Sequence, residues 1–335
     1  MREGLGGASR KPPTPRETLS HLFINETHME RGGTREALTK LHLSVVIAGT
    51  TGLYGRLISL GGLALSWYRM LLAAAALWVA FWAMGRVERV GRGDVWRMFA
   101  VGAMLGIHWV LFYSSIKASN ISIGVVCFTL VGFFTAFLEP WLTRGRISAR
   151  EVMVSGLTLV GVALIFHLDT RYREGICLGV ASSLFGAIYT VSNKRLNGKV
   201  SYKSTTVLLH EMTGGALCLT ALVPVFAMAD PDMTLLPSAT DAAWLAACAI
   251  GSTIFLYLLQ LQALKSVSAF TVNLTNNLEP VYSIILAMLF FGEAKELNAS
   301  FVCGLCLILL SVGIQTLSVV RASRRQRKLA HYNFR

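Results

Sequence analysis

A chain of 335 residues with 54% hydrophobic and only 15% charged residues, and a mean hydropathy of +0.56, leaves little room for a soluble domain outside its apolar segments. Six Cys all fall inside apolar stretches, including the CxxC pair Cys303 and Cys306, so they read as small packing residues and not as a disulfide framework or a metal site. The formal charge of +13 invites a nucleic-acid partner, but the placement of the basic residues argues against one and for a membrane topology.

The first forty residues are polar, contain Pro12, Pro13 and Pro15, and lack the apolar core of a secretory signal. They read as a disordered cytoplasmic arm (1–40). Met29 is an alternative start, which would make 1–28 an extension. Ten apolar stretches follow, each long enough at about 1.5 Å per residue to cross a hydrocarbon core of about 30 Å. The first five are 41–60, 63–84, 96–115, 121–142 and 152–168; the second five are 175–192, 204–228, 242–264, 268–291 and 299–320. A basic tail, 321–335, carries Arg324, Arg325, Arg327 and Lys328 and suits anionic lipid headgroups.

With the N-terminus inside, 24 of the 31 Lys and Arg lie on the inner side and four in outer loops. The positive-inside rule then puts both termini in the cytoplasm; the plasma (inner) membrane is the expected location. Five spans per half means that the second half, 175–320, enters from the side opposite to the first, 41–168. The expected fold is therefore all-α and integral to the membrane, with ten transmembrane helices as two inverted five-helix repeats. An offset of 148 residues supports this, bringing Lys117 onto Lys265, Gly156 onto Gly304 and Leu159 onto Leu307. Leu-Glu-Pro also occurs twice, at 138–140 and 278–280, but at an offset of 140, which would displace one helix by two turns.

Ionisable groups inside the spans carry the functional reading, because each costs about 2.5–3.5 kcal/mol at a helix centre and needs a compensating role. Glu279 lies about 17 Å along the ninth span, near the midplane. Pro280 removes an N–H donor there and frees the carbonyl of Asn276. Thr275, Asn276, Tyr282 and Ser283 share the Glu279 face, and Asn273 and Asn277 widen the polar arc. Such an arc indicates a wet cavity; interhelical hydrogen-bonding glue is the bland alternative. Arg69 either pairs internally with Glu279 or Glu211, or snorkels at the interface beside Trp67 and Tyr68. Adjacent His210 and Glu211 point about 100° apart, and Glu211 is the one expected to face the cavity. Tyr257 and Gln260 add hydrogen-bonding groups from the eighth span. Glu279 and His108 are the candidate proton carriers, with hydrogen-bonded packing the plainer role for His108. Glu139, near the end of the fourth span, is expected to reach headgroups or Arg144 and Arg146. Small-xxx-small spacings at Gly102/Gly106, Gly175/Gly179 and Ser182/Gly186 mark close helix approaches inside the bundle, with dimerisation the other use.

The order of Trp-Tyr-Arg at 67–69, Ala-Leu-Lys at 263–265, Glu-Pro at 279–280, Gly-Glu at 292–293 and Gly304 resembles the drug/metabolite transporter superfamily in its EamA-like branch. In the first half Arg144 and Gly145 stand in place of Gly-Glu. The resemblance implies a secondary transporter, expected to export small metabolites such as amino acids or related polar and amphipathic compounds. Its partners would be the substrate, membrane lipids and, as a homodimer, a second copy of the chain; no cofactor, metal or catalytic residue is implied. The rival readings are an integral-membrane lipid-modifying enzyme and a non-transporting scaffold. Neither a Gly-x-Ser-x-Gly elbow nor a His-Asp arrangement supports the enzyme.

Overall fold

The computed structural model describes residues 35–83, 88–166, 172–200, 202–292 and 299–332, and every regular element among them is helical. In chain order these are α1 (35–48), α2 (Thr51–Leu57), α3 (Gly62–Ala83), α4 (Arg92–Ala118), α5 (Ile121–Phe128), α6 (Val131–Thr143) and α7 (Ala149–Phe166). They continue as α8 (Arg173–Asn197), α9 (Ser204–Ala229) and α10 (Ala239–Ala246), a π-helical segment Ala247–Ile254, then α11 (Phe255–Leu264), α12 (Ala269–Asn276), α13 (Glu279–Phe291) and α14 (Ala299–Tyr332). Among the described residues seven helical stretches are long and apolar enough to cross a membrane, counting α5–α6, α10–α11 and α12–α13 each as one; Ala299–Ile314 is a shorter apolar helix. The expected first span is not among the seven because the chain breaks at Gly49–Thr50, dividing it into α1 and α2. The helix also begins at residue 35, so 35–40 of the expected arm are helical, with Ala37 buried and Glu36 paired to Lys40. Residues 1–34, Glu293 and 333–335 lie outside the described residues.

The exterior is apolar in the way lipid demands. Val79, Met153, Met228, Leu289 and Phe290 expose most of their surface, as do Trp82, Trp96 and Trp141 at helix ends, where an aromatic belt belongs. Packing inside the bundle rests on small residues, since hydrocarbon offers no hydrophobic drive between helices. At Gly102 of α4 a Cβ would overlap the backbone of Glu211 in α9, and Gly304 of α14 abuts the Gly161 carbonyl of α7. The small-xxx-small stripes thus serve internal contacts: Gly106 meets Leu219 and Met70, Gly179 meets Cys127 and Ser115, and Gly186 meets Phe128 and His108.

Two broken helices cross one another. α5–α6 is interrupted at Thr129–Leu130 and α12–α13 at Asn277–Leu278, and α12 packs on α6 while α13 packs on α5, so the two pairs run antiparallel. Their bounds coincide at the 148-residue offset, down to the capping residue, where Arg144 (φ 57°) and Gly292 (φ 69°) both take the left-handed conformation. Arg144 therefore fills the glycine's structural place at the cost of strain that glycine would not carry.

The two Leu-Glu-Pro copies do different work, as their incompatible offset implies. Glu139 does not reach headgroups or Arg144 and Arg146; its carboxylate accepts hydrogen bonds from the N–H groups of Ala269 (3.1 Å) and Phe270 (2.8 Å) at the start of α12. A carboxylate there satisfies orphan donors and meets the positive end of the helix. Glu139→Ala is expected to lower stability by about 1–2 kcal/mol, seen as a reduced melting temperature of the purified protein.

Candidate functional site

An interior cavity lies where α1, α2, α3, α4, α5, α8, α11, α12 and α13 converge. It encloses about 40 Å³ reachable by the centre of a water molecule, enough for about three waters. Both chain halves build its wall: Thr51, Arg69, His108, Trp109, Phe112 and Phe128 come from the first, and Tyr189, Tyr257, Gln260, Asn273, Asn276 and Glu279 from the second.

Glu279 owes its place to the break in the ninth apolar stretch. The spacing of Pro280 predicts a weakened helix; the chain instead stops at Asn276, turns through Asn277 and Leu278, and restarts at Glu279 with Pro280 in the first turn. Pro suits that position because its missing N–H is unpaired there anyway. The Glu279 side chain is therefore at the positive end of α13, 5% exposed, with Thr51 Oγ1 donating to Oε1 at 3.4 Å. Thr51 itself sits just after the break between α1 and α2, so two helix interruptions meet at this carboxylate.

Arg69 is neither the ion-pair partner of Glu279 or Glu211 nor an interfacial anchor. It is 2% exposed; Nε donates to Thr253 Oγ1 and Nη1 to Tyr113 Oη, both at 2.6 Å, and the guanidinium carbon lies 3.7 Å from the centre of the Trp109 ring. The sequence reading missed this because an aromatic face and two hydroxyls took the role assigned to a carboxylate. Thr253 is presented by the π-helical segment, where its hydroxyl donates to the Cys248 carbonyl five residues back at 2.9 Å. Such widened turns are frequent at functional sites. The run Ala-Cys-Ala-Ile-Gly-Ser-Thr at 247–253, all small but Ile250, is the local signal for it.

The remaining polar lining is tied into pairs. Trp109 Nε1 donates to Tyr257 Oη (2.7 Å), Gln260 Nε2 to Asn276 Oδ1 (3.1 Å), Asn273 Nδ2 to Thr135 Oγ1 (2.8 Å) and Thr190 Oγ1 to Asn273 Oδ1 (2.9 Å). His108 Nδ1 lies 2.8 Å from Ser182 Oγ and 3.0 Å from its carbonyl, with the ring 4.9 Å from that of Phe128. Its hydrogen-bonded packing is plain, while the ring still borders the cavity.

Three expected site residues stand off the wall. Tyr282, about 60° round the helix from Glu279, packs its Cβ against Gly49 and is 38% exposed. Asn277 is fully buried in the turn beside Gly132 with neither amide atom bonded. Glu211 is fully buried behind Tyr189, whose hydroxyl donates to Oε2 at 3.1 Å. Its neighbour His210 turns away, bonding the Thr206 carbonyl (2.8 Å).

Two loops are clasped alike. Lys117, closing α4, donates to the Ile58 carbonyl, and the next residue, Ser59, donates from N and Oγ to Asp241, which opens α10 (2.7 Å each). Lys265, following α11, donates to the Tyr202 carbonyl (3.2 Å), and the Tyr202 hydroxyl donates to Asp94 in the first turn of α4 (3.2 Å). Each clasp joins the loop after one half's first helix to helices of both halves.

A family model, the EamA-like transporter family, matches the chain twice, over residues 37–167 and 173–317. The chain belongs to the EamA-like transporter family. It is thus an integral-membrane protein of a family of small-molecule transporters, made of two EamA repeats. No curated protein matches it in sequence. Among 29 solved chains that match in structure, one crystal structure of a protein superposes with a TM-score of 0.63 at 17% identity, covering 85% of this chain and 98% of that one. At that identity the likeness establishes the fold.

Proposed function

We propose that this EamA-family member is a secondary transporter of small metabolites, expected to export amino acids or related polar and amphipathic compounds. Its substrate would bind in the central cavity by alternating access. The observation that carries the reading is that cavity: an interior chamber walled by both repeats, with a cation, Arg69, and a carboxylate, Glu279, on opposite repeats. A compound bearing both an anionic and a cationic group would use both. Asn273, Asn276, Tyr257 and Gln260 supply orienting hydrogen bonds. Asn277 and Tyr282 act from behind the wall, in the hinge turn and on α13.

Ten spans in two inverted repeats, bounded at 41–168 and 175–320, account for the geometry. Exchanging the halves turns the α5–α6/α12–α13 crossing into itself and turns the Lys117/Asp241 clasp into the Lys265/Asp94 clasp. Opposite orientation puts those clasps on opposite membrane faces, where opening one and closing the other would switch access. The lysine distribution orients both termini to the cytoplasm across the plasma membrane, with 321–335 against anionic lipid.

Proteoliposomes preloaded with an amino-acid and amphipathic-metabolite panel test this. Saturable uptake of labelled substrate, accelerated by unlabelled substrate inside, is expected. Uptake that is non-saturable and insensitive to internal substrate would indicate a pore, and no flux for any compound would favour an enzyme or a scaffold.

A further inference from the structure

Behind the cavity wall lies a second polar cluster that substrate recognition does not use. Glu211 of α9 has one carboxylate oxygen held by Tyr189; the amide of the fully buried Asn193, one turn beyond Tyr189 on α8, stands beside the carboxylate, yet neither Oε1 nor either amide atom is in a well-formed hydrogen bond. Three such atoms together are rare, since a buried polar group without a partner costs about 1–3 kcal/mol. We propose that Glu211, Asn193 and Tyr189 form a proton-binding site adjoining the substrate cavity through Tyr189, in which Glu211, behind the wall, takes up and releases the coupling proton of the transport cycle. This rests on the transporter reading above.

The chemistry of the three groups fits a site that must be stable in two charge states. When Glu211 is ionised, Oε1 accepts from the Asn193 amide NH₂ and Oε2 from the Tyr189 hydroxyl. When a proton taken from water adds to Oε1, the resulting hydroxyl donates to the Asn193 amide oxygen after a half-turn of that amide. Asn alone among uncharged side chains of this size offers both a donor pair and an acceptor, so neither state need be left unsatisfied.

The surrounding charges leave Glu211 free of a competing ion pair. On α3 the Arg69 guanidinium is committed to Thr253, Tyr113 and the Trp109 ring. On α4 His108 is bonded to Ser182, and Asp94 and Arg97 pair with each other at the helix start. Tyr257 faces Tyr189 from α11, and His210 on α9 itself turns to Thr206. Tyr189 links the two sites. Its hydroxyl holds Glu211, its ring meets Tyr257 edge-on at 5.9 Å, and Tyr257 accepts from Trp109, on which Arg69 stacks. A proton at Glu211 thereby changes a hydrogen bond one side chain away from the substrate chamber.

Infrared difference spectroscopy of the purified full-length protein, perfused alternately with acidic and alkaline buffer, tests this without any substrate, so it can fail while the flux experiment succeeds, and the reverse. The expected result is a protonated-carboxyl C=O band that appears on acidification, moves down in frequency in heavy water, vanishes in Glu211→Gln and survives in Glu279→Gln. In Asn193→Leu the band should persist but move to higher frequency as the acid loses its amide partner, an effect independent of whether Glu211→Gln folds. A band that survives in folded Glu211→Gln, an unmoved band in Asn193→Leu, or no acid-dependent band in the wild type would each overturn the proposal. Loss of the band on adding sodium at constant acidic pH would overturn it in favour of a metal-cation site.

Discussion

Glu279→Gln is expected to lower exchange flux by about 10-fold to 100-fold while leaving folded yield and melting temperature close to wild type. The substitution keeps the side chain's volume and an oxygen for Thr51 Oγ1, and it removes only the charge at the start of α13. A charge-assisted contact to a bound ligand contributes about 1.5–3 kcal/mol, which sets the range of the loss. Flux in proteoliposomes and thermal unfolding, measured on one preparation, check both halves of the expectation. A large fall in melting temperature with proportionate flux loss would instead make Glu279 interhelical glue.

Arg69 is expected to show an inverted order of severity, with Arg69→Lys destabilising the protein more than Arg69→Met. Lysine keeps a buried charge but loses the planar stack on Trp109 and cannot hold Thr253 and Tyr113 in the same fork. A buried cation stripped of partners costs about 3–5 kcal/mol. Methionine, though shorter, removes the charge and its desolvation together, so its stability cost is smaller. Both variants should lose transport, because the chamber then has no correctly placed cation. Thermal melts of the two variants in one detergent decide the order; Arg69→Met melting well below Arg69→Lys would show that the guanidinium's charge is itself structural.

What the sequence made legible follows from local periodicity and from pairs close along the chain. Seven of the ten apolar stretches and the disruption before Pro280 were readable from local composition and spacing, and Asn273, Asn276 and Glu279 of the polar run do line the cavity. At the 148-residue offset the bounds of α5–α6 and α12–α13 coincide, and Lys117 and Lys265 each bond a loop carbonyl. What was not legible depends on contacts between distant segments. Arg69 finds Trp109 and Tyr113 on the neighbouring helix and Thr253 on a π-helical turn 184 residues away, and no spacing rule announces either. Glu139 was misassigned for the same reason: its partners are two backbone N–H groups in the other half, which leave no mark of residue type. Glu211 was expected on the chamber wall, and the burial was right; a tyrosine on α8 stands between it and the chamber.

The chamber between the repeats as the substrate site is tested most directly by ligand-induced thermal stabilisation across a metabolite panel, comparing wild type with Glu279→Gln. The account predicts at least one compound that raises the wild-type melting temperature and loses that effect in the mutant. Compounds that stabilise both proteins equally would contradict it, and would move the binding site away from the broken helix at Glu279.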